Sequence, residues 1–264
     1  MALIDGRDGN RIHFEEFRFA MPWEERRPLV LVHGLGCTWR IWTKQIPFLA
    51  GTRRVVAVDC RGSGLSRPAR QMWSMSDMAA DIRSVVRHLD LGQPDIVGLS
   101  MGGAVAMHYA IDYPDELARL VTIGAPVGPI DEVRETRAQD FEFIMRNPIE
   151  TIARKRMDRA FAGSPDPRLK EWVIEMISAM RIDDYRSQAS AGTTMNLHER
   201  LDGIQVPHEV INGEAETVVI PAVARFIHAR SRRSRLHLIP NARHFWSLEE
   251  PERCNALIEE LLAG

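Results

Sequence analysis

Cysteine is scarce in this chain of 264 residues, which contains only Cys37, Cys60 and Cys254. The three are odd in number, lie far apart and include no Cys-x-x-Cys pair. That pattern argues against a disulfide framework and against a structural zinc site. We therefore expect all three to be buried, reduced thiols.

The chain also lacks an excess of either charge and a long apolar run near its start. Basic and acidic side chains nearly balance, giving a formal net charge of -2, so no overall field favours nucleic acid. Between Met1 and Asn10, charged side chains interrupt the stretch and exclude both a signal-peptide core and a membrane span there. We expect a soluble, cytoplasmic protein that binds neither nucleic acid nor a membrane.

Short apolar runs alternate with helical patterns along most of the chain, whose length suits one substantial core. This alternation predicts the α/β class, with a mostly parallel central sheet flanked by helices. The predicted strands are Arg11–Phe19, Pro28–Val32, Arg54–Val58, Asp95–Leu99, Leu117–Ile123, His208–Asn212 and Leu236–Ile239. The predicted helices are Ser76–Leu89, Met101–Tyr113, Pro221–His228 and Glu252–Leu262.

Residues 131–200 interrupt this alternation, because their composition shifts to helical stretches rich in Met, Arg and Glu. We therefore predict a core domain of residues 1–130 and 201–264, with a helical cap inserted as residues 131–200. The insertion precedes the last strands, so it can cover the C-terminal edge of the sheet.

The motif Gly98-Leu99-Ser100-Met101-Gly102 matches G-x-S-x-G and lies between a predicted buried strand and a predicted helix. A sharp strand-to-helix turn needs glycines, because the neighbouring backbone comes very close. Such a turn holds Ser100 over the sheet edge as a nucleophile. An ordinary Gly-rich turn is the alternative, which the flanking elements disfavour.

Two backbone N-H groups are candidates for an oxyanion hole. Met101 begins the helix that follows the nucleophile, and Leu35 lies in the loop His33-Gly34-Leu35-Gly36 after another strand. We expect His33 to hold that loop by hydrogen bonds rather than to transfer protons.

The general base must follow the nucleophile in the chain, and His244 lies in a turn after the last predicted strand. The other histidines lie within helices or strands, near element ends or in the insertion. For the orienting acid, the turn after His208–Asn212 offers two glutamates, and we choose Glu216 over Glu214. Asp131 is a weaker alternative.

With these motifs, the chain resembles the α/β-hydrolase superfamily over essentially its whole length. The motifs are His33-Gly34-Leu35-Gly36, Asp59-Cys60-Arg61-Gly62-Ser63-Gly64-Leu65-Ser66, Gly98-Leu99-Ser100-Met101-Gly102-Gly103, and His244 near Leu248-Glu249-Glu250-Pro251. They look most like the branch of enol-lactone hydrolases, small carboxylesterases and haloperoxidase-like esterases. The chain departs from that pattern at Glu216, where the family usually carries Asp. We assign Asp59 to turn structure.

The resemblance implies a serine hydrolase that cleaves a small-molecule ester or lactone of modest size through an acyl-enzyme, without a metal or an organic cofactor. A C-C bond hydrolase acting on a ring-cleavage diketone is the enzymatic alternative. A ligand-binding receptor with weak turnover is the alternative from another class. The oligomeric state, a homo-oligomer included, stays open.

Aromatic and Met side chains are the candidates for the substrate pocket. We expect Trp39 and Trp246, which flank the oxyanion loop and His244, to bind substrate, together with Phe143 and Trp172 in the insertion. Packing within the insertion explains the insertion's Met and aromatic residues equally well.

Overall fold

Eight strands form one sheet at the centre of the molecule, in the order β1-β2-β4-β3-β5-β6-β7-β8. The computed structural model describes residues 2–21, 23, 25–69, 71–161 and 166–263. The strands are β1 Ala2–Asp5, β2 Arg11–Phe17, β3 Arg26–Val32, β4 Arg53–Val58, β5 Asp95–Leu99, β6 Arg119–Ile123, β7 His208–Gly213 and β8 Ser234–Ile239.

The strands from β3 to β8 pair in parallel, whereas β1 and β2 pair antiparallel at one edge. The predicted mostly parallel sheet is therefore confirmed. Strand β1 was not predicted from the sequence, because it has four residues and buries only Ile4. Its pairing with β2, in which Ala2 lies opposite Phe14, defines it as a strand.

Ten α-helices connect and cover the strands in the described part of the chain. They are α1 Ile46–Leu49, α2 Met75–His88, α3 Met101–Asp112, α4 Arg134–Arg146, α5 Ile149–Ala160, α6 Pro167–Ser178, α7 Ile182–Thr194, α8 Pro221–Arg230, α9 Trp246–Glu249 and α10 Pro251–Ala263. Within the described residues, no helix combines the length and the apolar character that crossing a membrane requires.

Local sequence signals account for several helix ends. Ser74 caps α2 in a capping box with Asp77, so two backbone N-H groups of the first turn have side-chain acceptors. Helix α3 ends at Asp112, two residues before Pro114, which cannot continue the hydrogen-bonding pattern.

Both faces of the sheet are buried, because alternate residues of each strand point to opposite sides. In β3, Val30 and Val32 pack in a core with α2, α3 and α8. Leu29 and Leu31 pack on the other face with α1, α10 and helices of the insertion. This two-sided burial explains why the strands appear in the sequence as continuous apolar runs rather than as an alternating pattern.

Between β6 and β7 the described residues form four α-helices, α4 to α7, and no strand. We call residues 131–200 the helical insertion; its residues 162–165 lie outside the described residues. Helix α7 contacts the loop after β3, where Tyr185 lies against Gly36. Gly36 has φ = 76°, and a side chain there would overlap the Tyr185 ring. The insertion therefore packs directly on the C-terminal ends of the strands.

Candidate active site

Ser100 occupies a strained turn between β5 and α3, with φ = 52° and ψ = -120°. Its N-H donates to the carbonyl of Ile123 on β6 at 2.8 Å, which holds the turn against the neighbouring strand. Close backbone approach demands the flanking glycines. A Cβ at Gly98 would lie 2.4 Å from the carbonyl oxygen of Gly102, and a Cβ at Gly102 would lie 2.2 Å from that of Val32.

His244 and Glu216 form a buried hydrogen-bonded pair at the same edge of the sheet. His244 follows β8 and Glu216 follows β7, so two parallel neighbouring strands deliver them together. The imidazole Nδ1 of His244 lies 2.8 Å from Oε2 of Glu216. If Nδ1 donates to the carboxylate, Nε2 is left as an acceptor, which is the tautomer that a general base needs.

Glu216 is held at both carboxylate oxygens. Oε1 accepts hydrogen bonds from the N-H groups of Val218 and Val219, at 2.6 and 3.3 Å. Burial would raise the pKa of this carboxyl, but the contact with His244 and the two N-H donors hold the pKa below its ordinary value. Glu216 is therefore an anion across the neutral pH range, whereas Glu214, the alternative in the same turn, is exposed.

The loop after β3 is fixed by His33, as the sequence analysis predicted. Its Nδ1 donates to the carbonyl of Gly34 at 2.8 Å, and its Nε2 accepts from the N-H of Cys60 at 2.9 Å. Complete burial lowers the pKa of His33, so the ring stays neutral and keeps both bonds.

Asp59 supports the same loop from the next strand. Its carboxylate accepts hydrogen bonds from the N-H of Trp39 at 2.8 Å and from that of Leu65 at 3.1 Å, and it pairs with Nδ1 of His13 at 2.8 Å. These contacts agree with the structural role predicted for Asp59.

Gln188 of α7 was not identified from the sequence, yet it joins the insertion to the site. Its Oε1 accepts from the N-H of Gly36 at 3.2 Å, and its Nε2 donates to the carbonyl of Arg61 and to Oγ of Ser63. This buried amide therefore ties the loop that carries Leu35 to the turn after β4.

Two adjoining cavities meet at Ser100. Leu35, Ser100 and His244 line the smaller one. Leu35, Ser100 and Met101 also line the larger one, whose volume is about 120 Å³. Met101 is the first residue of α3, where the backbone N-H has no acceptor within the helix. The structure thus brings the predicted nucleophile, base and oxyanion donors to one place.

The four predicted substrate-binding side chains do not line either cavity, so the cavity walls do not support that assignment. Trp246 is buried in the core, with 1% of its surface exposed. The Trp39 ring packs on Phe17, with ring centroids 5.5 Å apart. Phe143 packs under the ammonium group of Lys155. Trp172, on α6, packs against the core that contains Trp246. Proximity in the sequence did not reveal the direction in which these side chains point.

Half of the residues that line the larger cavity come from α4, α5 and α7. They include three charged side chains that the sequence analysis missed, Arg137, Asp140 and Arg156. On α4, Arg137, Phe141 and Ile144 recur at the spacing of one helical face. That spacing was readable in the sequence, but the face that points to the nucleophile was not.

Comparison with known proteins adds the family. A family described as having the alpha/beta hydrolase fold matches residues 27–162, about half of the chain. The chain belongs to this α/β-hydrolase family. The match begins in β3, includes Ser100 with both predicted oxyanion donors, and ends before Glu216 and His244.

Relatives of this α/β hydrolase match nearly end to end at low identity. One is a 3-oxoadipate enol-lactonase of Acinetobacter baylyi, 22% identical over 90% of this chain and 89% of its own. Another is a 2-hydroxymuconate semialdehyde hydrolase of a Pseudomonas species, 28% identical over 89% of this chain and 87% of its own. Among solved structures, an esterase of Thermogutta terrifontis is 26% identical, with a TM-score of 0.87, over 99% of this chain and 97% of that one. The predicted resemblance to the enol-lactonase and esterase branch is confirmed at the level of relatives.

Proposed function

We propose that this α/β hydrolase is a serine hydrolase that cleaves a carboxylic ester or lactone of modest size. One observation carries the proposal: the strained Ser100 borders the same cavity as His244, whose imidazole is paired with the buried Glu216. The relatives named as an enol-lactonase and an esterase support the same chemistry. The cavity of about 120 Å³ suits a compact acyl group.

In the proposed reaction, Nε2 of His244 accepts the hydroxyl proton of Ser100 while Oγ attacks the carbonyl carbon of the substrate. The N-H groups of Leu35 and Met101 stabilise the resulting oxyanion. The imidazolium then gives its proton to the leaving oxygen, and an acyl-enzyme remains. Water attacks this ester with His244 again as base, which releases the acid and restores Ser100. Glu216 keeps the imidazole in the required tautomer and stabilises its charged form.

We also propose that residues 131–200 form a cap over the core made by residues 1–130 and 201–264. Three of its helices supply walls of the larger cavity, and Gln188 bonds directly to the oxyanion loop. A cap built in this way excludes water from the acyl group and selects substrates by their shape.

A C-C bond hydrolase is a second candidate, favoured by the relative named as a 2-hydroxymuconate semialdehyde hydrolase. It would use the same three side chains on a ring-cleavage diketone. A receptor that binds a ligand with little turnover is the candidate from another class. Relative rates on esters, lactones and diketones discriminate among the three.

The test is hydrolysis of p-nitrophenyl butyrate by the native protein beside Ser100→Ala. We expect multiple turnovers that disappear in Ser100→Ala, because that variant lacks the nucleophile. Equal rates in both proteins would show that Ser100 is not the nucleophile. If neither protein acts on esters or lactones but the native one cleaves a diketone, C-C hydrolysis replaces the proposal. Binding without turnover on any of these substrates would favour the receptor.

A further inference from the structure

The larger cavity combines an apolar wall with two arginines and one aspartate. Its charged lining side chains are Arg137, Asp140 and Arg156, and the rest of the lining is neutral. Asp140 already has a counter-ion in Arg159, whose Nη1 lies 3.0 and 2.9 Å from the two carboxylate oxygens. The cavity therefore keeps positive charge that its own acid does not offset.

Arg156 is the less constrained of the two arginines. It lines both the larger and the smaller cavity, and its side chain is half-buried. Within the described part of the chain, it forms no hydrogen bond and no ion pair. Its positive charge nevertheless acts on the buried Cys37 thiol beside the oxyanion loop. A half-buried guanidinium without a counter-ion is costly unless something else supplies the negative charge.

Arg137, the other arginine that lines the larger cavity, is held by neutral groups. Its guanidinium donates to the carbonyls of Gly128 and Gly192, at 3.3 and 2.8 Å. These bonds fix the side chain but supply no negative charge. Burial and the nearby charge of Arg156 lower the pKa of Arg137, and the charge of Asp140 opposes this shift only in part, so the two cations repel each other. An anion between them would relieve that repulsion.

We propose that the substrate carries a carboxylate on its acyl part and that Arg156, supported by Arg137, binds this carboxylate. The inference rests on the proposed serine hydrolase function. The guanidinium fork matches a carboxylate in geometry as well as charge. The carboxylate is placed on the acyl part because of where His244 lies. His244 must reach the leaving oxygen, and it lines the smaller cavity but not the larger. The acyl chain therefore extends into the larger cavity, toward the two arginines.

The test of carboxylate binding by Arg156 compares two p-nitrophenyl esters of similar size, the neutral butyrate and the anionic hydrogen glutarate. The proteins are the native chain, Arg156→Gln, Arg156→Lys and the matched control Arg154→Gln. Arg154 lies on the same helix, is half exposed and pairs with Glu150 and Glu171 outside the cavity. The measured quantity is the ratio of kcat/KM for the anionic ester to kcat/KM for the neutral one.

We expect the native ratio to exceed about 10, and Arg156→Gln to lower it by about 10- to 100-fold, the usual loss for a hydrogen bond to a charged group. Arg156→Lys should give an intermediate ratio, because it keeps the charge and loses the fork. Arg154→Gln should match the native protein. A native ratio near 1, or one that Arg156→Gln leaves unchanged, would overturn the inference while leaving the proposed function intact.

Absence of turnover on both esters would count against the proposed function instead. Calorimetric binding of monomethyl glutarate and dimethyl glutarate to Ser100→Ala then tests the charge separately. Preference for the monoanion that disappears in Ser100→Ala/Arg156→Gln would support the inference, and equal binding of the two probes would overturn it.

Discussion

Glu216 is the residue at which this chain departs most from the pattern it resembles. The longer side chain is accommodated because its two oxygens have separate partners, His244 on one side and the turn N-H groups of Val218 and Val219 on the other. Anchoring at the second oxygen restricts the extra rotatable bond of glutamate. The side chain therefore reaches the imidazole in a defined geometry.

Glu216→Gln tests this role directly. The neutral amide neither favours the imidazolium nor selects the required tautomer, so we expect kcat for ester hydrolysis to fall by about 10³- to 10⁴-fold with little change in KM. Glu214→Gln is the matched control, because the same change at an exposed position of the same turn should have no effect. A loss of less than tenfold in Glu216→Gln would assign the orienting role elsewhere.

At the scale of elements, His208 joins two strands and a helix end. It is fully buried at the start of β7, where its Nε2 lies 2.9 Å from Oγ1 of Thr122 on β6. Its Nδ1 lies 3.2 Å from Oγ of Ser231, which follows α8. Burial lowers the pKa of His208 to about 3, so the ring is neutral in the folded protein.

This buried histidine predicts loss of stability in mild acid. The folded pKa of about 3 lies below the unfolded value of 6.5, so the unfolded state binds the proton first as pH falls. The free energy of unfolding should decrease by up to about 1.4 kcal/mol per pH unit from this group, starting near pH 6.5. In His208→Gln, urea denaturation from pH 7 to 5 should show a shallower slope. Identical slopes in the two proteins would contradict the assignment.

Elements were predictable from the sequence where the pattern was long and its ends carried clear signals. Strand β5 was predicted at its observed bounds, and helix α2 to within one residue at each end. Strand β1 was not predicted because an edge strand of four residues is defined by its pairing with a neighbour rather than by its own composition. The residues of β1 do not themselves show that β2 pairs with them.

At the scale of the whole molecule, the helical insertion and the sheet are coupled through the oxyanion loop. Gln188 reaches from α7 to Gly36 and to the turn that contains Ser63, and Tyr185 fills the space beside Gly36. The loop that carries Leu35 is thus held between two parts of the chain that are far apart in sequence. Catalytic geometry should depend on the insertion even without contact between Gln188 and the reacting atoms.

Gln188→Leu removes these bonds at similar volume. We expect the free energy of unfolding to fall by about 1–3 kcal/mol because buried polar groups lose partners. We also expect kcat to fall by about 10- to 100-fold through a displaced oxyanion donor. Gln139→Leu, an exposed change on α4, is the control. Loss of stability at unchanged kcat would mean that Gln188 only stiffens the insertion.

The sequence by itself determined the α/β class, the insertion between β6 and β7, and the turns that carry Ser100 and His244. These features depend on local patterns: apolar periodicity, glycines where backbones approach, and the order of strands along the chain. The sequence also favoured Glu216 over Glu214 as the orienting acid, and in the structure Glu216 pairs with His244. Only the tertiary structure decided that Arg156 rather than Trp246 faces the cavity. Side-chain direction depends on packing between elements distant in sequence, which no local pattern records.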